Sequence, residues 1–243
     1  AAVPVPAASV AAAALAPTVG IYDPSYANNA ALLLFNGSNN STSIVDSGPL
    51  GLTCTAYGDA KITTAQSKFG GASLVLDGAG DYLRIANNSA LNLSTQNFTI
   101  EFFWRPGQIT TGQIILNKRD TVAARGYQIT QPGIDPTKIR FAAGDSNTAA
   151  WEVDIVGTTT LVVGTWYYVK ASRNGSTFSL TLDNVSQGTA TWNGTIDHGT
   201  GDLFIGIGVD GTSSPSTGHM DALRITNNVA RTSGMPSVEF PAQ

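Results

Sequence analysis

The chain has 243 residues, enough for one large domain with its own core, and only 12% of them are charged, for a net charge of −4. Its thirteen Lys and Arg are scattered, which argues against nucleic acid as a partner, and no apolar run approaches the ~20 residues of a membrane span, so solubility is the expectation. Cys54 is the single cysteine, which leaves no internal disulfide and predicts a free, buried thiol; stability must come from packing and sheet hydrogen bonds.

Residues 1–21 are Ala, Val and Pro almost throughout and carry no charge. Pro4, Pro6 and Pro17 oppose a continuous helix, although "SVAAAALA" suits a short one. The segment lacks a basic n-region, so it does not read as a signal peptide. Two readings stand side by side: a floppy linker, or an extended arm that orders only against a partner. The change in composition sets the boundary, with the arm at 1–21 and a folded domain at 22–243.

From Tyr22 onward the apolar period is two. Strands are predicted at 30–36, 72–76, 81–85, 98–105, 113–118, 126–130, 138–143, 151–156, 165–173, 176–183, 202–207 and 220–226. Asp77-Gly78-Ala79-Gly80 reads as a hairpin turn that lets Leu74, Leu76, Leu83 and Ile85 share a core face, and Asn174-Gly175 is the strongest hairpin signal. Trp104 and Trp166 lie inside dense apolar strands and are expected in the core. No long amphipathic helix is evident. About a dozen strands at this spacing imply an all-β fold of two packed antiparallel sheets, a sandwich or jelly roll. Nine Asn-x-Ser/Thr sequons, Asn36, Asn87, Asn97, Asn174 and Asn193 among them, follow from a composition rich in Asn, Gly, Ser and Thr.

The segments "KFGGASLVLDGAGDYLRI", "FTIEFFWRP", "GTWYYVKASRNGSTFSLTLDN", "LFIGI" and "HMDALRIT" occur in the order found in laminin-G-like, concanavalin A-like jelly-roll domains. The chain resembles that family from about Asp23 to its end. The opening "YDPSYANNALLLFNGSNNSTSIVDSG" is similar to the start of such domains in bacteriophage virion proteins. These resemblances imply a two-sheet antiparallel β-sandwich with an extended N-terminal arm. They also imply a capsid decoration or fibre module on the virion exterior, with residues 1–21 docking on a capsid or other virion protein. A secreted bacterial carbohydrate-binding or adhesion domain is the alternative, and a glucanase a distant third. A trimer would suit a particle component, but no coiled-coil heptads enforce one.

"WEVDIVG" (151–157) tests the glucanase reading. Glucanases that share this fold carry Glu-x-Asp-x-Glu or Glu-x-Asp-x-x-Glu. Here Glu152 and Asp154 fill the first two places, and Val156 or Gly157 falls on the third. Hydrolysis of a glycosidic bond needs two carboxyl groups, ~5–5.5 Å apart with retention or ~6.5–9.5 Å with inversion. On a strand Glu152, Asp154 and Val156 share one face, so the missing group is the partner acid itself. Asp145 could meet Asp154 by folding, but nothing requires it. No enzyme is expected. His198 and His219 have no metal-ligand spacing, no Gly-x-Ser-x-Gly elbow or phosphate loop occurs, and "GIGVDG" (206–211) reads as a strand end and loop.

Two binding sites are expected instead. Relatives place an acid pair near the C-terminus, with calcium bound there in some; here Met220-Asp221-Ala222 keeps one acid, and Asp46 would have to join Asp221 by pairing of the terminal strands. Otherwise Asp221 fixes the last strand by hydrogen bonds. A surface glycan would stack on Trp192, beside Asn193 and Asp197 in "TWNGTIDHGTG", or on Trp151 beside "GDSNTAA", unless these indoles cap the sandwich edge.

Overall fold

A computed structural model describes residues 22–120, 125–145 and 150–242; the arm at 1–21 lies outside them. Fifteen strands follow in order: β1 (Asn29–Leu33), β2 (Cys54–Tyr57), β3 (Lys61–Thr63), β4 (Ser73–Asp77), β5 (Tyr82–Ile85), β6 (Phe98–Pro106), β7 (Gln113–Lys118), β8 (Gly126–Gln131), β9 (Arg140–Gly144), β10 (Val153–Val156), β11 (Tyr167–Asn174), β12 (Thr177–Leu182), β13 (Val185–Thr191), β14 (Leu203–Ile205) and β15 (Thr217–Asn227). Short 3-10 turns at Tyr26–Asn28 and Ser89–Leu91 are the helical elements described, and none of them is long and apolar enough to cross a membrane.

The strands form two antiparallel sheets. One runs β13-β12-β11-β6-β15-β4-β3, the other β10-β9-β8-β7-β14-β5-β2. In the first sheet β15 is long enough to pair with β4 along its first half and with β1 along its second. Every strand expected from the period of two is present. The strands β2, β3 and β13 were not expected, because each is short or mostly polar and lies at or next to a sheet edge.

Between the sheets lies one continuous core. Phe98, Ile100, Phe102 and Trp104 enter it from β6, meeting Ile129 and Phe141 from the opposite sheet. Each such side chain contributes roughly 1.5–3 kcal/mol by leaving water. The Trp104 indole N–H donates to Gln131 Oε1 at 3.0 Å, so its one polar atom is satisfied inside.

Three expectations need correction. The turn at 77–80 is not a hairpin: β4 belongs to the first sheet and β5 to the second. Gly78 and Gly80, at φ 84° and 96°, swing the chain from sheet to sheet. Asp81 holds the crossing, accepting from the backbone N–H of Asp59 at 2.7 Å and of Asp77 at 3.1 Å. Leu74, Leu76, Leu83 and Ile85 do share the core, but from facing sheets. Trp166 is half-buried outside the main core, edge-on to His219. Cys54 is half-buried too, and burial, with Asp46 nearby, pushes its thiol up to about 12. The Asn174-Gly175 turn does join paired neighbours, β11 and β12.

The outer face of the first sheet is sealed. Leu32, Phe103, Tyr168 and Ala222 pack there beneath Phe240, with Tyr26, Leu34, Phe69 and Trp166 around them. Beside this cluster lies a buried ion network. Arg224 pairs with Glu101 at 2.7 Å and Asp23 at 3.1 Å, Arg231 pairs with Asp23 at 2.8 Å, and Tyr168 donates its hydroxyl to Glu101. The Phe240 ring covers Arg224 at 3.9 Å. The two ends of the domain are thus tied together across one face.

Candidate functional site

The outer face of the second sheet is open. Cross-strand register sets one row of residues over it: Asp154, Ala142, Gln128, Asn117, Phe204, Arg84 and Thr55, one from each strand from β10 to β2. Strand alternation decides which residues face out. Leu83 and Ile85 of β5 and Leu203 and Ile205 of β14 are fully buried, so Tyr82, Arg84 and Phe204 turn to the surface.

Three aromatic rings line up on this face from adjacent strands. Tyr57 and Tyr82, opposite each other in register, stack at 4.6 Å with planes 5° apart, and Phe204 follows at 5.9 Å from Tyr82. All three are half-buried. They line a cavity of about 400 Å³ together with Arg84, Asp202 and Arg119. The Arg84 guanidinium meets the Asp202 carboxylate at 2.5 Å, and Asp202 also accepts from the backbone N–H of Asn87 at 2.7 Å. The result is an apolar platform with fixed polar groups at its edge.

At the far end of the same face a groove of about 580 Å³ runs over β8, β9 and β10, lined by Gln128, Thr130, Arg140, Asp154 and Val156 among others. Asp154 is the single carboxylate in its lining, and Arg140 holds it in a two-pronged pair at 2.6 and 2.8 Å. Glu152 lies nearer the strand's edge, where it accepts from the Asp145 backbone N–H at 3.1 Å. The lone-acid arrangement read from "WEVDIVG" therefore has a concrete form: one exposed acid clamped by a guanidinium, the other turned to a loop.

The sugar residues expected from sequence lie on the rim rather than on this face. Trp192 packs at 6.2 Å from Phe178 and against the core, and Gly194 lies so close that a Cβ there would meet the indole at 2.3 Å. Asn193 beside it is exposed. Asp197 is tied down through its backbone to Gly126 and Gly144, and its carboxylate accepts from the N–H of Gly199 at 2.9 Å. It lines a rim cavity of about 500 Å³ with Asn92, Ser94, Asp145, Thr195 and His198; Trp192 and Asn193 do not line it. His198 accepts from the Leu93 backbone N–H at 3.2 Å, and burial, with Lys118 nearby, pushes its imidazole down to about 4. Trp151 is ringed by Arg125, Arg119 and Arg140 at 5.3, 5.8 and 5.9 Å, so cations occupy its faces. The four residues thus form no single platform.

Asp46 and Asp221, the expected calcium ligands, each serve backbone donors of their own. Asp46 accepts from Leu32, Gly48 and Leu52 at 2.8 to 2.9 Å. Asp221 accepts from Lys68 and Phe69 at 2.7 and 2.9 Å, which ties that loop to β15. They share no partner, although β1 and β15 do pair. Burial pushes Asp221 up to about 7. Among the described residues one acidic trio comes close together, Asp59, Asp77 and Asp81. Lys61 at 2.9 Å from Asp59 and the backbone donors to Asp81 account for that cluster without an ion.

The sequence carried a signal for part of the aromatic row. Placing Leu83 and Ile85 in the core already turns Tyr82 and Arg84 outward, and "DLFIGI" does the same for Phe204. Tyr57 had no such signal, since its strand was not expected.

A family model described as the concanavalin A-like lectin/glucanases superfamily, of laminin-G type, matches residues 77–233. No curated protein matches the chain by sequence. Among solved structures, the binding domain of Paraclostridial Mosquitocidal Protein 1 superposes with a TM-score of 0.66 at 14% identity, over 85% of this chain and 50% of that one. Domain 4 of AbnA, an extracellular arabinanase from Geobacillus stearothermophilus in complex with arabinotriose, gives 0.59 at 19% identity, over 82% and 92%. The Botulinum neurotoxin serotype D ligand binding domain in complex with N-acetylneuraminic acid gives 0.62 at 13% identity, over 85% and 49%. The chain spans about half the length of the two toxin domains. At these identities the likeness is one of fold.

Proposed function

The chain belongs to the concanavalin A-like lectin/glucanase superfamily, and from that premise we propose that it is a non-hydrolytic glycan-binding module carried on the outside of a virion. The aromatic row Tyr57, Tyr82 and Phe204 is the observation that carries the glycan reading. Pyranose rings present C–H faces that pack on aromatic side chains, while fixed ionic groups bond their hydroxyls. Tyr82 supplies the central ring, and the Arg84–Asp202 pair holds donors and acceptors in place at its edge. Two of the structures similar in fold contain a saccharide, arabinotriose in one and N-acetylneuraminic acid in the other.

Hydrolysis is not part of the reading. A glycosidase needs a second carboxyl group within reach of the first, and Asp154 has only Arg140. The virion setting rests on the opening segment that resembles phage virion domains. That segment is built into the domain through Asp23 and Asp46, which leaves residues 1–21 as the anchor to a capsid or other virion protein. Trimeric assembly would present several such faces together. The likeness to an extracellular arabinanase domain favours a secreted adhesion module as the second reading.

A glycan array probed with the unaltered protein and with Tyr82→Ala tests the binding reading. Signals that vanish in the variant support it, and a blank array for both removes it. Immunogold microscopy of particles decides between the virion and secreted settings.

A further inference from the structure

Most arginines around the open face have a matched charge. Arg84 faces Asp202, and Arg140 faces Asp154. Arg119 does not. It follows the end of β7, lines the aromatic cavity, and leans over Trp151 at 5.8 Å. Its Nε is buried without a hydrogen-bond partner, and among the described residues no carboxylate lies within ion-pair distance of it. Arg125 shares the same indole, so a like charge stands nearby where an opposite one would be expected. Burial, together with Arg125, lowers the Arg119 pKa, which marks the cost of keeping this cation where it is.

The acids in the cavity wall are committed elsewhere. Asp202 is held by Arg84 and the Asn87 N–H, and Asp210 by the backbone N–H groups of Thr212 and Ser213 at 2.9 and 2.8 Å. Asp120 contacts Thr200. The cavity therefore combines an aromatic floor with a guanidinium that has no counter-charge in its wall. A guanidinium matches planar or tetrahedral oxyanions through paired N–H donors, and an oxyanion beside Arg119 would supply the charge its surroundings withhold.

We infer that the ligand of the aromatic cavity is an acidic saccharide, one that lays its ring along Tyr82 and Phe204 and turns a carboxylate or sulfate to Arg119. The inference rests on the glycan-binding reading and adds the ligand's charge to it.

The test is titration calorimetry with an oligogalacturonide, its methyl ester, and sulfated and sialylated oligosaccharides of similar length. The free acid, or one of the other two anions, binds about tenfold or more tighter than the neutral ester at low salt, and the advantage shrinks in about 0.5 M NaCl. Arg119→Gln removes the difference between acid and ester but leaves the ester's affinity, and Arg119→Lys restores part of it. The salt titration uses the unaltered chain, so the test survives a variant that folds poorly. Equal affinity for acid and ester would overturn the acidic ligand and leave glycan binding intact. An acid preference that persists in Arg119→Gln would overturn the role of Arg119. Loss of all binding, with the whole panel silent, would take both readings down together.

Discussion

The two outer faces of this sandwich are built from the same kind of strand and end in opposite states. On the first sheet, Phe240, Phe69 and Trp166 cover Phe103 and Tyr168, and four charged side chains neutralise one another beneath the surface. On the second, Tyr57, Tyr82 and Phe204 stand half-exposed with nothing described above them. A face that buries its aromatics serves stability. A face that leaves three of them aligned at the surface, with fixed ionic groups alongside, has given up that gain and is available to a ligand.

The sharpest way to separate the faces is by substitution on the sealed one. Arg224→Met leaves Glu101 and Asp23 short of a counter-charge in a dry site, and should cost roughly 3–5 kcal/mol in urea unfolding while leaving glycan binding at the open face unchanged. A cost below about 1 kcal/mol would mean that this network is as solvated as an ordinary surface pair.

The pH dependence of stability follows from groups away from the open aromatic row. Asp221 is pushed up to about 7 by burial, against ~3.9 in an unfolded chain. The folded state then holds a proton that the unfolded state releases, so this stabilisation is full below about pH 4 and is lost as pH rises to 7. Asp81, raised to about 6 by burial, acts in the same direction. His198, pushed down to about 4, acts oppositely: its stabilisation is full above ~6.5 and is lost as pH falls towards 4. Unfolding midpoints should therefore fall between pH 6.5 and 7.5, where His198 no longer contributes to the slope. Asp221→Asn should flatten that fall, a change of about 2–4 kcal/mol at most. An unchanged slope in the variant would place the proton elsewhere.

On the open face the expected effects on stability are smaller and those on binding larger. Tyr82→Ala should cost about 1 kcal/mol of stability but about tenfold in glycan affinity, because its ring stacks on Tyr57 in the free protein and on sugar in the complex. Smallest of all is Asp154→Asn. Its pair with Arg140 is part-exposed, so unfolding should shift by less than about 1 kcal/mol. Incubation with β-glucan should release no reducing ends from either the variant or the unaltered chain. Release that depends on Asp154 would restore the enzyme reading.

How much of this was legible beforehand depended on which side of a strand carried the information. The sandwich was readable because core residues such as Leu74, Leu83, Phe102 and Ile129 recur with a period of two, and that period survives in any sequence that must bury one face of a sheet. Pairing was less readable. Asp77-Gly78-Ala79-Gly80 has the composition of a hairpin, and only the partners of β4 and β5 reveal a crossing between sheets. The aromatic row was hidden for a similar reason. Tyr57, Tyr82 and Phe204 are far apart in sequence, and strand order alone makes them neighbours. Trp151 and Trp192 drew attention through their polar surroundings, yet arginines crowd the first and core packing holds the second. The arm at 1–21 stands out by composition, and its role lies outside the described residues.

Stacking of saccharide on an aromatic triplet is the claim on which the functional account depends. Its most direct measurement is the change in tyrosine and tryptophan signals on titrating an array-positive oligosaccharide, followed by nuclear magnetic resonance at the ring protons of Tyr57, Tyr82 and Phe204. Saturable shifts at those three rings, absent in Tyr82→Ala and absent at Trp192, are the predicted result. Binding that moves Trp192 and the rim around Asp197 while leaving the triplet still would contradict it.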